Sequence, residues 1–292
     1  MTAQQRPRGI DSMRERRDES NRRRNNMRQQ RWEQQRLAVP YPTDGPKITL
    51  GLLWCAAVIG AGWLATPLLA VFVAMIAGLA GFQVGRSFRP FVDPPLAAGF
   101  AAVVALAGLF GALGLGIALI MGALAAVLVA AGLAPSVPVL DGRGVEVPQM
   151  ESMVHRAELL ARSSLPAGAA AASLVAIEQL EFGAFIALVV LVSAYEVGDF
   201  MIGTGSSNAV EGPVAGLVAL TVGAAATYVL LPAPFDTNSY PLFAALAAVG
   251  APLGQIVASA ILPRGVAWAP ALRRLDSYLV VAPLWLLLLP RV

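Results

Sequence analysis

Residues 94–133 read PPLAAGFAAVVALAGLFGALGLGIALIMGALAAVLVAAGL, and no charged side chain occurs from Pro94 through to Leu140. Working outward, the chain is equally free of charge over Ile48–Gly85, Ser163–Ile177, Phe182–Tyr195, Gly212–Phe235, Thr237–Pro263 and Ser277–Pro290. The core of a water-soluble protein does not need such runs, whereas each helical crossing of a bilayer needs ~20 apolar residues with its backbone hydrogen-bonded internally. The expected fold class is therefore all-α, a polytopic integral membrane protein. Composition agrees: 57% of residues are hydrophobic, 13% are charged, and the mean hydropathy is +0.67. The single cysteine, Cys55, excludes an intrachain disulfide framework.

The long runs divide at local breakers. Thr66-Pro67 splits the first into spans near 48–65 and 67–85, and the cluster Gly108, Gly111, Gly114 and Gly116 splits the second into 96–113 and 115–133. The remainder lie near 164–178, 182–198, 212–231, 241–262 and 275–290, which makes about nine transmembrane helices. Charge sets the orientation. With a cytoplasmic N-terminus, Lys47, Arg86, Arg89, Arg143, Arg156, Arg162, Arg264, Arg273 and Arg274 all fall on the cytoplasmic side, and Arg291 falls outside. Merging 164–198 into one span would reverse Arg264, Arg273 and Arg274. The expected location is the plasma (inner) membrane.

Residues 1–46 form a separate region, an Arg-rich tail and turn-rich linker ahead of the transmembrane domain, 47–292. Eleven arginines and five acids fall within residues 1–36, with too few aliphatic residues to bury a core. The first reading is a disordered cytoplasmic tail that fixes topology. A second is a basic patch docking on anionic headgroups. Nucleic acid is a third and is not carried forward as a partner, because no nucleic-acid-binding fold accompanies the arginines. Within 151–163, Val154, Ala157, Leu160 and Ala161 recur at helical spacing, which predicts an amphipathic helix on the cytoplasmic interface with His155 on its polar side.

Candidate chemistry resides in polar groups kept in or beside the membrane. Glu178 and Glu181 flank an outer turn. Glu196, Asp199, Glu211, Arg264, Arg273, Arg274 and Asp276 gather at the cytoplasmic ends of spans six to nine. Carboxylates suit Mg²⁺, which bridges substrate phosphates, and arginine suits phosphate oxygens. The competing account is that helix ends carry charge at headgroup level. No phosphate-binding P-loop, Cys-x-x-Cys, His-Glu-x-x-His or Gly-x-Ser-x-Gly motif is present. Ser206, Ser207 and Asn208 make a polar loop that could offer N–H groups to phosphate.

The stretch SAYEVGDFMIGTGSSNAVEGPVAG, residues 193–216, resembles a segment of the phosphatidate cytidylyltransferases (CDP-diacylglycerol synthases). Ala194, Tyr195 and Gly198 match that family's Asp-Thr-Gly-Ala-Tyr-x-x-Gly run; Glu211, Gly212 and Gly216 match the Ser-Pro-Lys-Lys-Thr-Trp-Glu-Gly loop and the glycine-containing helix it leads to. The stretch GQIVASAILPRGVAWAPALRRLDSYLVVAPLW, residues 254–285, resembles the family signature at Ser259, Arg274, Asp276, Ser277 and Pro283. The resemblance implies transfer of a cytidylyl group from CTP to phosphatidic acid or a related lipid phosphate, giving CDP-diacylglycerol and pyrophosphate with Mg²⁺ as cofactor. It implies catalytic roles for Asp276, Arg274 and Glu211, and metal ligation by Asp276 with Asp199 or Glu196. Substrate contacts would fall to Tyr195, Gly198, Ser207, Asn208, Gly212, Ser259 and Arg264. A homodimer is compatible with the resemblance. The chain departs from the family pattern where its first aspartate is Leu191, its loop lysines are Ser207 and Asn208, and the first aspartate of Asp-Arg-x-Asp is Arg273. Two functions follow: a divergent cytidylyltransferase, or a non-catalytic relative acting as a membrane scaffold or lipid-binding partner. A transporter would show paired halves, and no internal repeat is evident.

Overall fold

The computed structural model describes residues 47–132, 149–203, 210–230, 233–263 and 267–291. The expectations for the tail 1–46, for Arg143, and for Ser207, Asn208 and Arg264 lie outside the described residues. Among those described there is no strand. Nine α-helices follow one another: α1 Lys47–Leu64, α2 Thr66–Ser87, α3 Pro94–Leu106, α4 Gly111–Gly132, α5 Gln149–Leu180, α6 Phe182–Gly203, α7 Glu211–Leu230, α8 Ser239–Ile261 and α9 Tyr278–Leu288. Six helical stretches among them are long and apolar enough to cross a membrane: Thr66–Ser87, Pro94–Gly132, Ser152–Leu180, Phe182–Gly203, Glu211–Leu230 and Ser239–Ile261.

The breakers act where the sequence places them. Pro67 sits in the first turn of α2, where a missing N–H costs nothing, and Pro94-Pro95 open α3 in the same way. A 3-10 turn, Ala107–Phe110, ends α3, and Gly111 starts α4 at φ +67°, a conformation that L side chains rarely adopt. The chain then doubles back. Ala97 of α3 and Ala126 of α4 share a cluster with Val92, Leu159 and Leu160, so Pro94–Gly132 is an antiparallel pair rather than one long rod.

α5 is the centre of the bundle and packs against α2, α3, α4 and α9. Ala170, Ala171, Ala172, Leu174, Val175, Ala176 and Ile177 are all fully buried. Small side chains let helix backbones approach closely where lipid removes the hydrophobic drive for association. A Cβ on Gly108 would stand 2.8 Å from the Cα of Ala172, and one on Gly168 would stand 2.8 Å from the carbonyl oxygen of Ala101. The outer helices do the reverse. α4 exposes Leu113, Ile117, Ile120, Leu124 and Leu128, and α7 exposes Val214, Val218, Val222 and Val229. Such apolar faces suit a hydrocarbon surround, and the protein is a helical membrane protein.

The segment 151–163 differs in form from its expectation. It is the first part of the continuous 32-residue α5 rather than a separate interfacial helix. Leu159 and Leu160 are buried against α3 and α4 and Ala157 is buried as well, while Val154 is exposed. Ser163 and Ser164 donate to the carbonyls of Leu159 and Leu160, which lets a polar stretch run on into the apolar part.

Two glycines differ in what an added methyl group would meet, and their alanine variants have opposite outcomes. Gly108→Ala drives a methyl into backbone and costs about 1–3 kcal/mol, lowering the thermal midpoint of the purified protein in detergent. Gly99→Ala, with nothing within 4 Å of the new Cβ, leaves the midpoint unchanged or raises it.

Candidate functional site

Helical spacing creates the candidate site. Tyr195 and Asp199 are four residues apart and share one face of α6. Gln255 and Ser259 share a face of α8 in the same way. Glycine lets α8 come close: a Cβ on Gly254 would collide with the backbone carbonyl of Asp276 and stand 3.1 Å from that of Ser277. The turn carrying Arg273 to Ser277 is thereby pressed against α8, with α6 alongside.

The four polar side chains from α6 and α8 then meet. Gln255 donates from Nε2 to Asp199 Oδ2 at 2.9 Å, and the Tyr195 hydroxyl donates to Gln255 Oε1 at 3.1 Å. One turn on, Ser259 Oγ donates to the Gln255 carbonyl at 3.0 Å and accepts from both terminal nitrogens of Arg273 at 3.2 Å. The Arg273 guanidinium also reaches Asp276 Oδ2 at 3.5 Å, and the Ser277 N–H donates to Asp276 Oδ1 at 2.7 Å. Asp276 is 6% exposed at its side chain and Arg273 16%. Tyr195, Asp199, Gln255, Ser259 and Ser277 are buried.

Glu196 lies on the rim of this set. It hydrogen-bonds the Ser277 side chain and sits within electrostatic reach of Asp276, Asp199 and Arg274. Its Oε1 is inaccessible to solvent and has no hydrogen-bond partner among the described residues. Asp276, Asp199, Glu196, Ser259, Arg274 and Tyr195 are thus brought together. Glu211 is not: it is exposed at the first residue of α7, where a carboxylate complements the helix dipole. Gly212 is buried in that first turn. Gly198 marks the crossing of α6 and α7, where a Cβ would stand 2.6 Å from the Ala215 carbonyl oxygen.

Two contributors, Gln255 and Gln83, were not legible as site residues, while Arg273 was already among the charged candidates. Gln255 bridges the two halves of the cluster. Arg273 enters as its cation. Gln83 of α2 accepts from the Ala271 N–H at 2.9 Å and so pins the chain just before the Arg273 turn. The available signal was an uncharged amide in each of two apolar runs, since a buried polar side chain in a span requires partners.

Whether these residues fit Mg²⁺ turns on Asp276. Its two oxygens are engaged by Ser277 and by Arg273, a permanent cation. A divalent ion on Asp276 would stand beside that guanidinium, and repulsion between like charges in a low-dielectric setting is severe. Among the described residues, no three His, Cys, Asp or Glu side chains converge as a metal site. Asp276 as placed is committed to Ser277 and Arg273 rather than left open for Mg²⁺. Comparison of the chain with family models, curated proteins and solved structures finds no match.

Removing the bridge tests the cluster. Gln255→Leu withdraws a donor from the buried Asp199 carboxylate and an acceptor from Tyr195, costing about 1.5–3 kcal/mol. Tyr195→Phe removes one neutral hydrogen bond and costs about 1 kcal/mol. Equilibrium unfolding of both variants in mixed micelles gives the order directly.

Proposed function

We propose that this protein is a non-catalytic membrane relative of the cytidylyltransferase-like layout, acting as a scaffold or lipid-binding partner. The observation that carries the reading is the Arg273–Asp276 pair, anchored on Ser259. In the family the chain resembles, cations would be recruited to carboxylates at this end of the bundle. Here the chain supplies a cation of its own, and the polar set is largely satisfied from within. Satisfied buried networks specify a packing arrangement, which suits a structural part.

In this proposal all nine helices cross the plasma (inner) membrane with the N-terminus cytoplasmic. The cluster then faces the cytoplasm, and the arginine tail meets anionic headgroups on the same side. α1 and α9 count as spans together with their flanking residues, since α9 alone is 11 residues long.

A second reading, cytidylyl transfer from CTP to phosphatidic acid, is favoured by one feature: the inaccessible, unpartnered Glu196 Oε1 close to two further carboxylates. Turnover separates the two. Purified protein in vesicles with CTP, Mg²⁺ and phosphatidic acid is expected to give no CDP-diacylglycerol above protein-free vesicles. CDP-diacylglycerol that forms with the natural chain, above protein-free vesicles and only when CTP is added, overturns the non-catalytic reading and establishes the enzyme.

A further inference from the structure

A groove of about 550 Å³ opens beside the polar cluster, lined by Leu79, Phe82, Gln83, Arg86, Ser87 and Trp268. Five of these belong to α2. Leu79, Phe82, Gln83 and Arg86 follow i, i+3, i+4, i+7 spacing and so form one stripe, which spans about 10 Å along the helix axis. Its character changes along its length, from apolar at Leu79 and Phe82 to cationic at Arg86 in the last turn. Trp268, 73% exposed, comes from the segment after α8 and faces the stripe across the groove. The two walls are held in register by the Gln83–Ala271 hydrogen bond.

The polar groups along the wall differ in availability. Ser87 Oγ is engaged with the Gln83 carbonyl, and Gln83 Oε1 with Ala271. Arg86 is exposed and forms no ion pair among the described residues. Among the described residues it is the one charged side chain lining the groove. An exposed indole beside a cation at the end of an apolar stripe has the chemistry of the membrane–water interface, where tryptophan and arginine both partition.

We infer that this groove holds an anionic glycerophospholipid carrying one negative charge, its phosphodiester on Arg86 and an acyl chain along Leu79 and Phe82, with Trp268 closing the side. One guanidinium matches one phosphodiester charge, and a lipid alone supplies the apolar tail that the lower stripe needs. The assignment is independent of whether the neighbouring cluster has any catalytic activity.

The test uses the full chain in nanodiscs containing phosphatidylglycerol or phosphatidylcholine with brominated acyl chains, which quench tryptophan on contact. The difference between the natural chain and Trp268→Phe isolates the emission of Trp268. Brominated phosphatidylglycerol is expected to compete for the site about fivefold better than brominated phosphatidylcholine, the preference one interfacial arginine provides. Arg86→Gln, a change at an exposed side chain, is expected to abolish that preference. Equal quenching of Trp268 by the two lipids, or a preference that survives Arg86→Gln, overturns the inference.

Discussion

A guanidinium set among helices at the end of a membrane bundle must find an anion, because desolvating it unpaired costs several kcal/mol. Arg273 finds Asp276 three residues on, and Ser259 on the neighbouring helix. That contact fixes much else. It ties the turn before α9 to α8, and α8 through Gln255 to Asp199 and Tyr195 of α6. It also gives Asp276 a cationic partner from within the chain.

Glycine and alanine make this pairing geometrically reachable. Gly254 admits the turn against α8, Gly250 admits α9 at Val281, and Gly198 with Gly216 lets α7 close on α6 around the buried Tyr195 ring. Close backbone approach and polar satisfaction are therefore one design. The short hydrogen-bonding side chains Ser, Gln and Asp can span adjacent helices only because small residues bring those helices together.

Much of the fold was legible because a bilayer imposes one rule on every span. Charge-free runs located each helix, and Thr66-Pro67 and the Gly108–Gly116 cluster located two breaks correctly. The form of residues 151–163 was not legible. Amphipathic spacing gives an apolar face without saying whether lipid or protein covers it, and here α3 and α4 cover Leu159 and Leu160. The site was half legible. Glu196, Asp199 and Asp276 do approach one another, but Gln255 and Gln83 carry no charge and so passed as span residues. Arg273 could be seen in the sequence; its partner could not, because pairing depends on how the turn packs against α8.

The most direct test of this account is a double-mutant cycle on Arg273→Gln and Asp276→Asn, read by reversible unfolding in mixed micelles. The account predicts that each single variant is strongly destabilised, while the double variant is less damaged than their sum. The expected coupling is about 1.5 kcal/mol or more, in the range found for close charge pairs. Additive losses, with a coupling below about 0.5 kcal/mol, would contradict the claim that Arg273 is the resident cation of this site.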